Sequence, residues 1–188
     1  KGSVMSAIRE AMLHRGYLLL TLGFYVCGFH VTFITVHLPA YTDDLGLPSH
    51  VAAVALSIIG LLNIAGTLIS GWFGSRYTRK LGLSAIYAGR ALAIAIFLIS
   101  PKTELSVYLF AGVMGLLWLS TVPLTTDIVA RVFGVRYLAT LFSFVFLSHQ
   151  LGSFVGVWIG GLIYVSTGSY DIMWIAGIFA GIFAALIH

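Results

Sequence analysis

Long apolar runs alternate with short polar connections along the whole 188-residue chain. The first runs from Tyr17 to Leu38 and is closed by Pro39 and the turn signal Asp43-Asp44-Leu45-Gly46. The second extends from Val51 to Phe73, with Pro48-Ser49 as its N-cap region, and the third from Leu81 to Ile99, stopped by Ser100-Pro101. A fourth covers Leu105 to Thr126, a fifth Leu138 to Val165, ended by Thr167-Gly168-Ser169, and a sixth starts near Ile172. About 20 helical residues, at 1.5 Å rise each, cover the roughly 30 Å of a hydrocarbon layer, so each run is a candidate span. Because lipid offers the backbone no hydrogen bonds, the pattern predicts an all-α membrane protein of six transmembrane helices.

Composition removes the soluble alternatives. With 60% hydrophobic and 9% charged residues and a mean hydropathy of +1.03, the chain cannot cover a water-facing surface, which needs roughly a quarter charged residues. Charge then orients the spans. Eight of the ten Lys and Arg residues fall into clusters: Lys1, Arg9 and Arg15 before the first run, Arg76, Arg79 and Lys80 after the second, Arg131 and Arg136 after the fourth. The connections at Asp43/Asp44, Lys102/Glu104 and Asp171 are acidic or balanced. The positive-inside rule places the basic ends, and so both chain ends, in the cytoplasm. That topology accounts for a sequence pI near 9.4, the cations lying where anionic headgroups meet them, with no need of nucleic acid. Two basic residues stand apart, Lys102 in an external turn and Arg90 inside a span. Cys27 is alone and apolar-flanked, so it forms no disulfide within the chain. Lys1 is no initiator and the last run stops about 16 residues in, short of the roughly 20 of a full span, so the chain reads as a piece of a longer protein.

A faint repeat suggests a 3+3 inverted arrangement. Asn63-Ile-Ala-Gly66-Thr-Leu-Ile-Ser70-Gly71 in the second span aligns with Ser153-Phe-Val-Gly156-Val-Trp-Ile-Gly160-Gly161 in the fifth, with small or polar residues coinciding at four positions. Close packing of membrane helices selects small residues too, so the coincidence has two explanations.

The connection Gly71-Trp-Phe-Gly-Ser75-Arg76-Tyr-Thr78-Arg79-Lys80 resembles the loop motif of the major facilitator superfamily: glycine, three residues, aspartate, arginine, one residue, glycine, arginine, then lysine or arginine. Gly71, Arg76, Arg79 and Lys80 match, while Ser75 replaces the aspartate and Thr78 the second glycine. The degraded match, the basic lead-in and the span count resemble the C-terminal half of such a transporter. Residues 1–188 would then be helices 7 to 12 of a twelve-helix protein, with 1–15 part of the central cytoplasmic linker. Trp118-Leu-Ser-Thr-Val-Pro-Leu-Thr-Thr, Phe146-Leu-Ser-His-Gln-Leu-Gly-Ser-Phe and Tyr164-Val-Ser-Thr-Gly-Ser-Tyr are similar to the bacterial branch related to monocarboxylate transporters and oxalate/formate antiporters. That resemblance implies a bacterial inner membrane. Oxalate/formate members hold carboxylates with basic side chains in helices 8 and 11. Here helix 8 has none and helix 11 only His149, which speaks against a dicarboxylate.

Ionisable groups are costly in a bilayer core, so each one within a span is a functional candidate. His30 lies just past the midplane of the first span, with His37 two turns on along the same face, and the resemblance gives that face solvent access. A histidine bonded to a neighbouring helix is the alternative for both. Arg90, near the midplane of the third span, is an anion ligand or a brace behind the cavity helices, the family placing helix 9 at the periphery. His149 and Gln150 belong to a polar and small stripe with Ser153, Gly156 and Gly160; the glycines, Gly152 included, point to helix packing and His149 to a site. Asn63 with Thr67, and Trp118, Thr121 and Thr125 near a Pro123 kink, are further candidates, with polar contacts between helices as the plainer use. Asp127, four residues before Arg131, offers a carboxylate to replace the one Ser75 lacks; with Gly71, Arg76, Arg79 and Lys80 it forms a candidate gate, since the resemblance gives the motif that role.

The expectation is secondary transport of a small organic anion, a monocarboxylate, by alternating access. His30, His149, Gln150 and Arg90 would serve its carboxylate, Trp118 and apolar neighbours its carbon part. With no Asp or Glu within a span, any proton symport through a membrane carboxylate would reside in the other half, or His30 or His149 would titrate instead. Partners are the N-terminal six-helix half, the bilayer and the substrate, with antiport as the other coupling; no cofactor, metal or nucleic acid is implied. Efflux of amphipathic compounds and a non-transporting receptor or scaffold are the rivals; no motif suggests an enzyme.

Overall fold

A computed structural model describes residues 3–188, all of whose regular elements are helices. A surface helix, α1 (Val4–Leu13), starts at Ser3, whose hydroxyl accepts the Ser6 N–H at 3.2 Å. His14 separates it from α2 (Arg15–Asp44) and caps α2 through Nδ1, which accepts the Tyr17 N–H at 3.2 Å. Then come α3 (His50–Arg76), α4 (Arg79–Ile99), α5 (Glu104–Leu117), α6 (Thr121–Phe133), α7 (Leu138–Thr167) and α8 (Asp171–Ile187). Five segments are long and apolar enough to cross a bilayer: α2, α3, α4, α5 with α6, and α7. The sixth run forms α8, an apolar helix of 17 residues.

Three details depart from the sequence expectations. Pro39 does not close the first span; α2 continues to Asp44, because Leu38, Tyr41 and Thr42 are buried and Thr42 Oγ1 donates to the Pro39 carbonyl at 2.9 Å. One lost ladder bond costs less than unpacking that turn. Ser49 makes no side-chain cap on α3, its backbone being helical already. The fourth span is broken at Trp118–Ser120, a turn ahead of Pro123, rather than kinked within one helix.

Packing pairs the helices across the bundle: α2 with α7, α3 with α5 and α6, and α4 with α8, with α4 also against α5 and α6 and α2 against α8. The described basic residues other than Arg90 and Lys102 collect at one end, where Tyr17 donates to the Leu141 carbonyl (2.7 Å) and Arg79 meets Asp127; Lys1 lies outside the described residues. At the other end Tyr164 donates to Asp44 at 2.9 Å, and Lys102 Nζ donates to the carbonyls of Phe97, Leu98 and Ser100 at 2.8, 2.8 and 3.0 Å, closing the C-terminus of α4.

Two apolar clusters fill the interior. One, built on Phe33, Tyr41, Phe97, Phe110 and Trp174, lies toward the Lys102 end; the other, built on Phe24, Tyr87, Leu124 and Leu141, toward the basic end. On α2, α4 and the α5–α6 segment the clusters are separated by His30, Arg90 and Ser120-Thr121 respectively, all buried. A polar layer therefore crosses the bundle at mid-depth.

Candidate functional site

The polar layer is organised by the broken helix. Pro123 has no N–H to offer the Leu119 carbonyl and its ring crowds that oxygen, so the helical ladder is interrupted just before it. Backbone groups set free in an apolar interior need new partners, since an unpaired one costs several kcal/mol in a bilayer on the order of the transfer scales. Side chains from two neighbouring helices supply them. Arg90, fully buried on α4, donates from Nε and Nη2 to the Leu117 carbonyl at 3.1 and 2.7 Å, and from Nη2 also to the Trp118 carbonyl. Asn63 on α3 accepts the Leu119 N–H through Oδ1 at 3.0 Å, and Ser70 donates to the Ser120 carbonyl. Ser120 itself donates to the Leu116 carbonyl at 2.6 Å.

Around Arg90 sit groups from four other elements. Its guanidinium lies over the Tyr87 ring at 5.4 Å, and the Tyr87 hydroxyl donates to the Gly23 carbonyl at 2.6 Å. Its charge acts on Cys27, His30 and His149. Cys27 Sγ and Thr121 Oγ1 are 3.4 Å apart, and His149 lies against Cys27. None of the described acidic side chains is within ion-pair distance of Arg90. The middle of the bundle thus holds a guanidinium met by carbonyl dipoles and the Tyr87 ring, with Nη1 unpaired and no carboxylate beside it.

The two histidines of α2 do not line an accessible face of these helices, contrary to expectation. Gly177 and Gly181 on α8 leave room for the His30 imidazole, whose Nε2 donates to the Gly177 carbonyl at 2.7 Å, a bond that assigns the proton to that nitrogen. His37 places Nε2 3.1 Å from the Val157 carbonyl and Nδ1 3.3 Å from the Tyr170 hydroxyl. Both are buried against neighbouring helices, which meet the two ring nitrogens of His37 but only Nε2 of His30, whose buried Nδ1 has no hydrogen-bond partner.

The structure brings His30, Arg90, Thr121, His149 and the backbone of Trp118 into one layer, with Asn63 on the far side of the break. Gln150 stands on the exposed side of α7, its Oε1 3.3 Å from His149 Nδ1. Thr67 Oγ1 donates to Asn63 at 3.5 Å. The glycines of α7 serve contact: a Cβ on Gly152 would overlap the Tyr25 carbonyl oxygen, one on Gly156 would come within 2.8 Å of the Phe29 carbonyl, and one on Gly160 within 2.7 Å of the His37 ring. At the basic end Asp127 accepts from Arg79 at 2.5 Å and from Arg131 at 3.0 Å, while Ser75 donates back to the Trp72 carbonyl at 2.7 Å. Arg76 stacks over Trp72 at 5.0 Å, Lys80 is exposed, and nothing packs near Gly71.

Sequence reasoning placed Ser70 on one face with Asn63 and Gly66 among the small residues of the repeat, but passed over Tyr87 and Cys27 as parts of this layer and Gly28 as a contact. A Cβ on Gly28 would overlap the His149 carbonyl oxygen, and one on Gly66 that of Leu116. The available signal was spacing: Gly66 and Ser70 lie one turn apart with Asn63 on the same helix face.

A bundle of long apolar helices, packed through small residues and carrying a buried cation at mid-depth, is an integral membrane protein built around an interior polar site. The family profile of the Major Facilitator Superfamily matches residues 8–188, and the chain belongs to that superfamily. It is 27% identical over 157 residues to "Uncharacterized MFS-type transporter YcxA" of Bacillus subtilis (strain 168), covering 81% of this chain and 38% of that protein. It is also 27% identical over 189 residues to "Monocarboxylate transporter 12" of Rattus norvegicus, covering 93% and 38%. For "Monocarboxylate transporter 12-B" of Danio rerio the identity is 26% over 155 residues, covering 81% and 32%. The chain spans less than two fifths of the length of these relatives.

Proposed function

We propose that this chain is the C-terminal six-helix half of a secondary transporter that moves a small organic anion, a monocarboxylate, by alternating access. The observation that carries the reading is the unneutralised guanidinium of the mid-depth layer. In a low-dielectric interior its field extends well beyond its own hydrogen bonds, so a cavity wall formed by α2 and α7 is positive at the depth where an anion would rest. Arg90 acts through that field and through the backbone it holds, while His149 and Gln150 on α7 are the donors nearest an open face. The names of the two vertebrate relatives agree with a monocarboxylate.

The pairing of helices supports a 3+3 repeat of six spans. Exchanging α2, α3 and α4 for α5–α6, α7 and α8 turns the α2–α7 contact into the contact of α3 with α5 and α6, and leaves α4–α8 unchanged. Only 22% of the most apolar stretch of α3 and of α7 is buried, against 50% for α2 and α4, so α3 and α7 are the helices on which the other half would dock. The basic end faces the cytoplasm by the positive-inside rule, and the Arg79–Asp127–Arg131 cluster there is the gate.

The full-length protein in proteoliposomes should accumulate a radiolabelled lactate-like acid in exchange for the same acid inside. Amphipathic cations should compete poorly. Competition in the reverse order would favour the second reading, efflux of amphipathic compounds, for which the exposed Phe146, Phe154 and Trp158 on α7 speak. Absence of any exchange would sink both in favour of a receptor or scaffold.

A further inference from the structure

At the basic end, a cleft formed by the α3–α4 connection and the last turns of α6 contains Arg76, Arg79, Lys80 and Arg131. Asp127 is committed to Arg79 and Arg131. Arg76 and Lys80 are exposed, and among the described residues neither has a carboxylate within ion-pair distance. The rim carries Trp72 and Tyr77, both about half exposed, in an edge-on ring pair with centroids 6.3 Å apart. Trp and Tyr exposed beside surplus cations are the side-chain chemistry of the headgroup level of a bilayer.

Two apolar grooves start beside this cleft and run along neighbouring faces of α4, which meet at Ala85 and Leu92. The first, between α4 and α8, begins at Leu81, which also lines the cleft, and is floored by Ala85, Ala88 and Ala95. The second, between α4 and α5–α6, begins at Gly82 and Leu124 and continues past Leu117 toward Phe97 and Phe110. Small side chains keep both open, and both have almost wholly apolar walls.

We propose that this end of the protein is a site for one anionic diacyl phospholipid, its phosphate held by Arg76 and Lys80 and its two acyl chains lying in the two grooves along α4. The charge pattern selects the occupant: two cations without a carboxylate call for an anionic headgroup, and two apolar grooves beside one cationic cleft call for two tails. A zwitterionic lipid carries the same phosphate but sets its own cation beside Arg76 and Lys80, leaving the cleft with its net positive charge, and free phosphate would leave the grooves unused. The site is independent of the transported substrate.

Native mass spectrometry of the full-length protein released from detergent, with phosphatidylglycerol and phosphatidylcholine in equal supply, tests this. Phosphatidylglycerol should be the retained lipid. A juxtamembrane cation contributes about fivefold to binding of an anionic lipid, so R76Q with K80Q should weaken retention by roughly thirtyfold, to the level of phosphatidylcholine. Ala88→Trp, at an exposed position in the first groove, should bring the diacyl lipid down to the retention of its single-chain counterpart while leaving that counterpart unaffected. Millimolar inorganic phosphate should not displace the lipid. Equal retention of the two lipids by the unaltered protein, no change in R76Q/K80Q, or displacement by phosphate alone would each overturn the proposal.

Discussion

Where α2 meets α7, Gly28, Gly152 and Gly156 bring two unbroken helices close enough that any Cβ would strike the opposing backbone. Where α3 meets α5 and α6, Gly66 and Gly115 allow a comparable approach, with a Cβ on Gly115 falling 3.0 Å from Ile59 Cα and carbonyl oxygen, but the partner helix is interrupted. The first seam joins two continuous helices by contact area and by side chains that bond across it, Tyr17 to the Leu141 carbonyl, His37 to that of Val157 and Ser148 to that of Thr21, none of which fills a gap in a helical ladder. The second is held by contact and by Arg90, Asn63 and Ser70, which together occupy the backbone groups the break releases. The lesson is one of stiffness: the α2–α7 seam has one good arrangement, whereas the α5–α6 seam has exchangeable hydrogen bonds at its centre.

Four changes would break or sharpen that contrast. Gly152→Val drives a β-branched side chain into the Tyr25 carbonyl, and overpacking of this kind costs about 3 kcal/mol or more when backbone must move. Folded protein should fail to survive a mild heat step in detergent, read by size-exclusion chromatography; ordinary survival would mean that the seam is not rigid. Arg90→Leu leaves the Leu117 and Trp118 carbonyls without their donors, at about 2 kcal/mol for buried groups left unpaired. Thermal stability should fall, and Arg90→Lys should recover only part of it, because an ammonium lacks the planar fork that reaches both oxygens. Full rescue by lysine would show that charge alone matters there.

Asn63→Ala removes the acceptor for the Leu119 N–H and should cost about 1 kcal/mol, the scale of interhelical hydrogen bonds in membranes. Amide exchange should quicken at Leu119 and stay unchanged along α7. Asp127→Asn should be the smallest in stability, well under about 1 kcal/mol, since its partners are partly solvated. Its expected effect is on the balance of inward- and outward-facing states, read by labelling of cysteines introduced at the two ends in the full-length protein; an unchanged balance would remove the gate from the reading.

How much of this was legible beforehand depended on the range of the interaction. Spans follow from local hydropathy: the second, third, fifth and sixth runs appear as helices within about three residues of their sequence limits, the first continues six residues past Leu38, and the fourth appears as two helices. Pro39 and Pro123 carry the same local signal and had opposite outcomes. Tertiary burial of Leu38, Tyr41 and Thr42 overrode the first, whereas side chains on α3 and α4 were in place to accept the consequences of the second. Arg90 could be marked as out of place from sequence, but its partners, 27 and 28 residues away, exist only once the helix has parted. The choice between an accessible His30 and one bonded to a neighbouring helix was open for the same reason: two glycines on α8 make its pocket, and no pattern within α2 reports them.

Parting the helix at Trp118–Ser120 also divides one long dipole into two short ones in series. The C-terminal end of α5, carrying roughly half a negative charge, rests on the guanidinium, and the N-terminal end of α6, with roughly half a positive charge, emerges at the same depth. Backbone motion at this point is therefore motion of charge along the bundle axis. A conformational change that slid Arg90 off its carbonyls would uncover a cation and the negative end of α5 together, which ties the shape of this bundle to the electrical field across whatever membrane holds it.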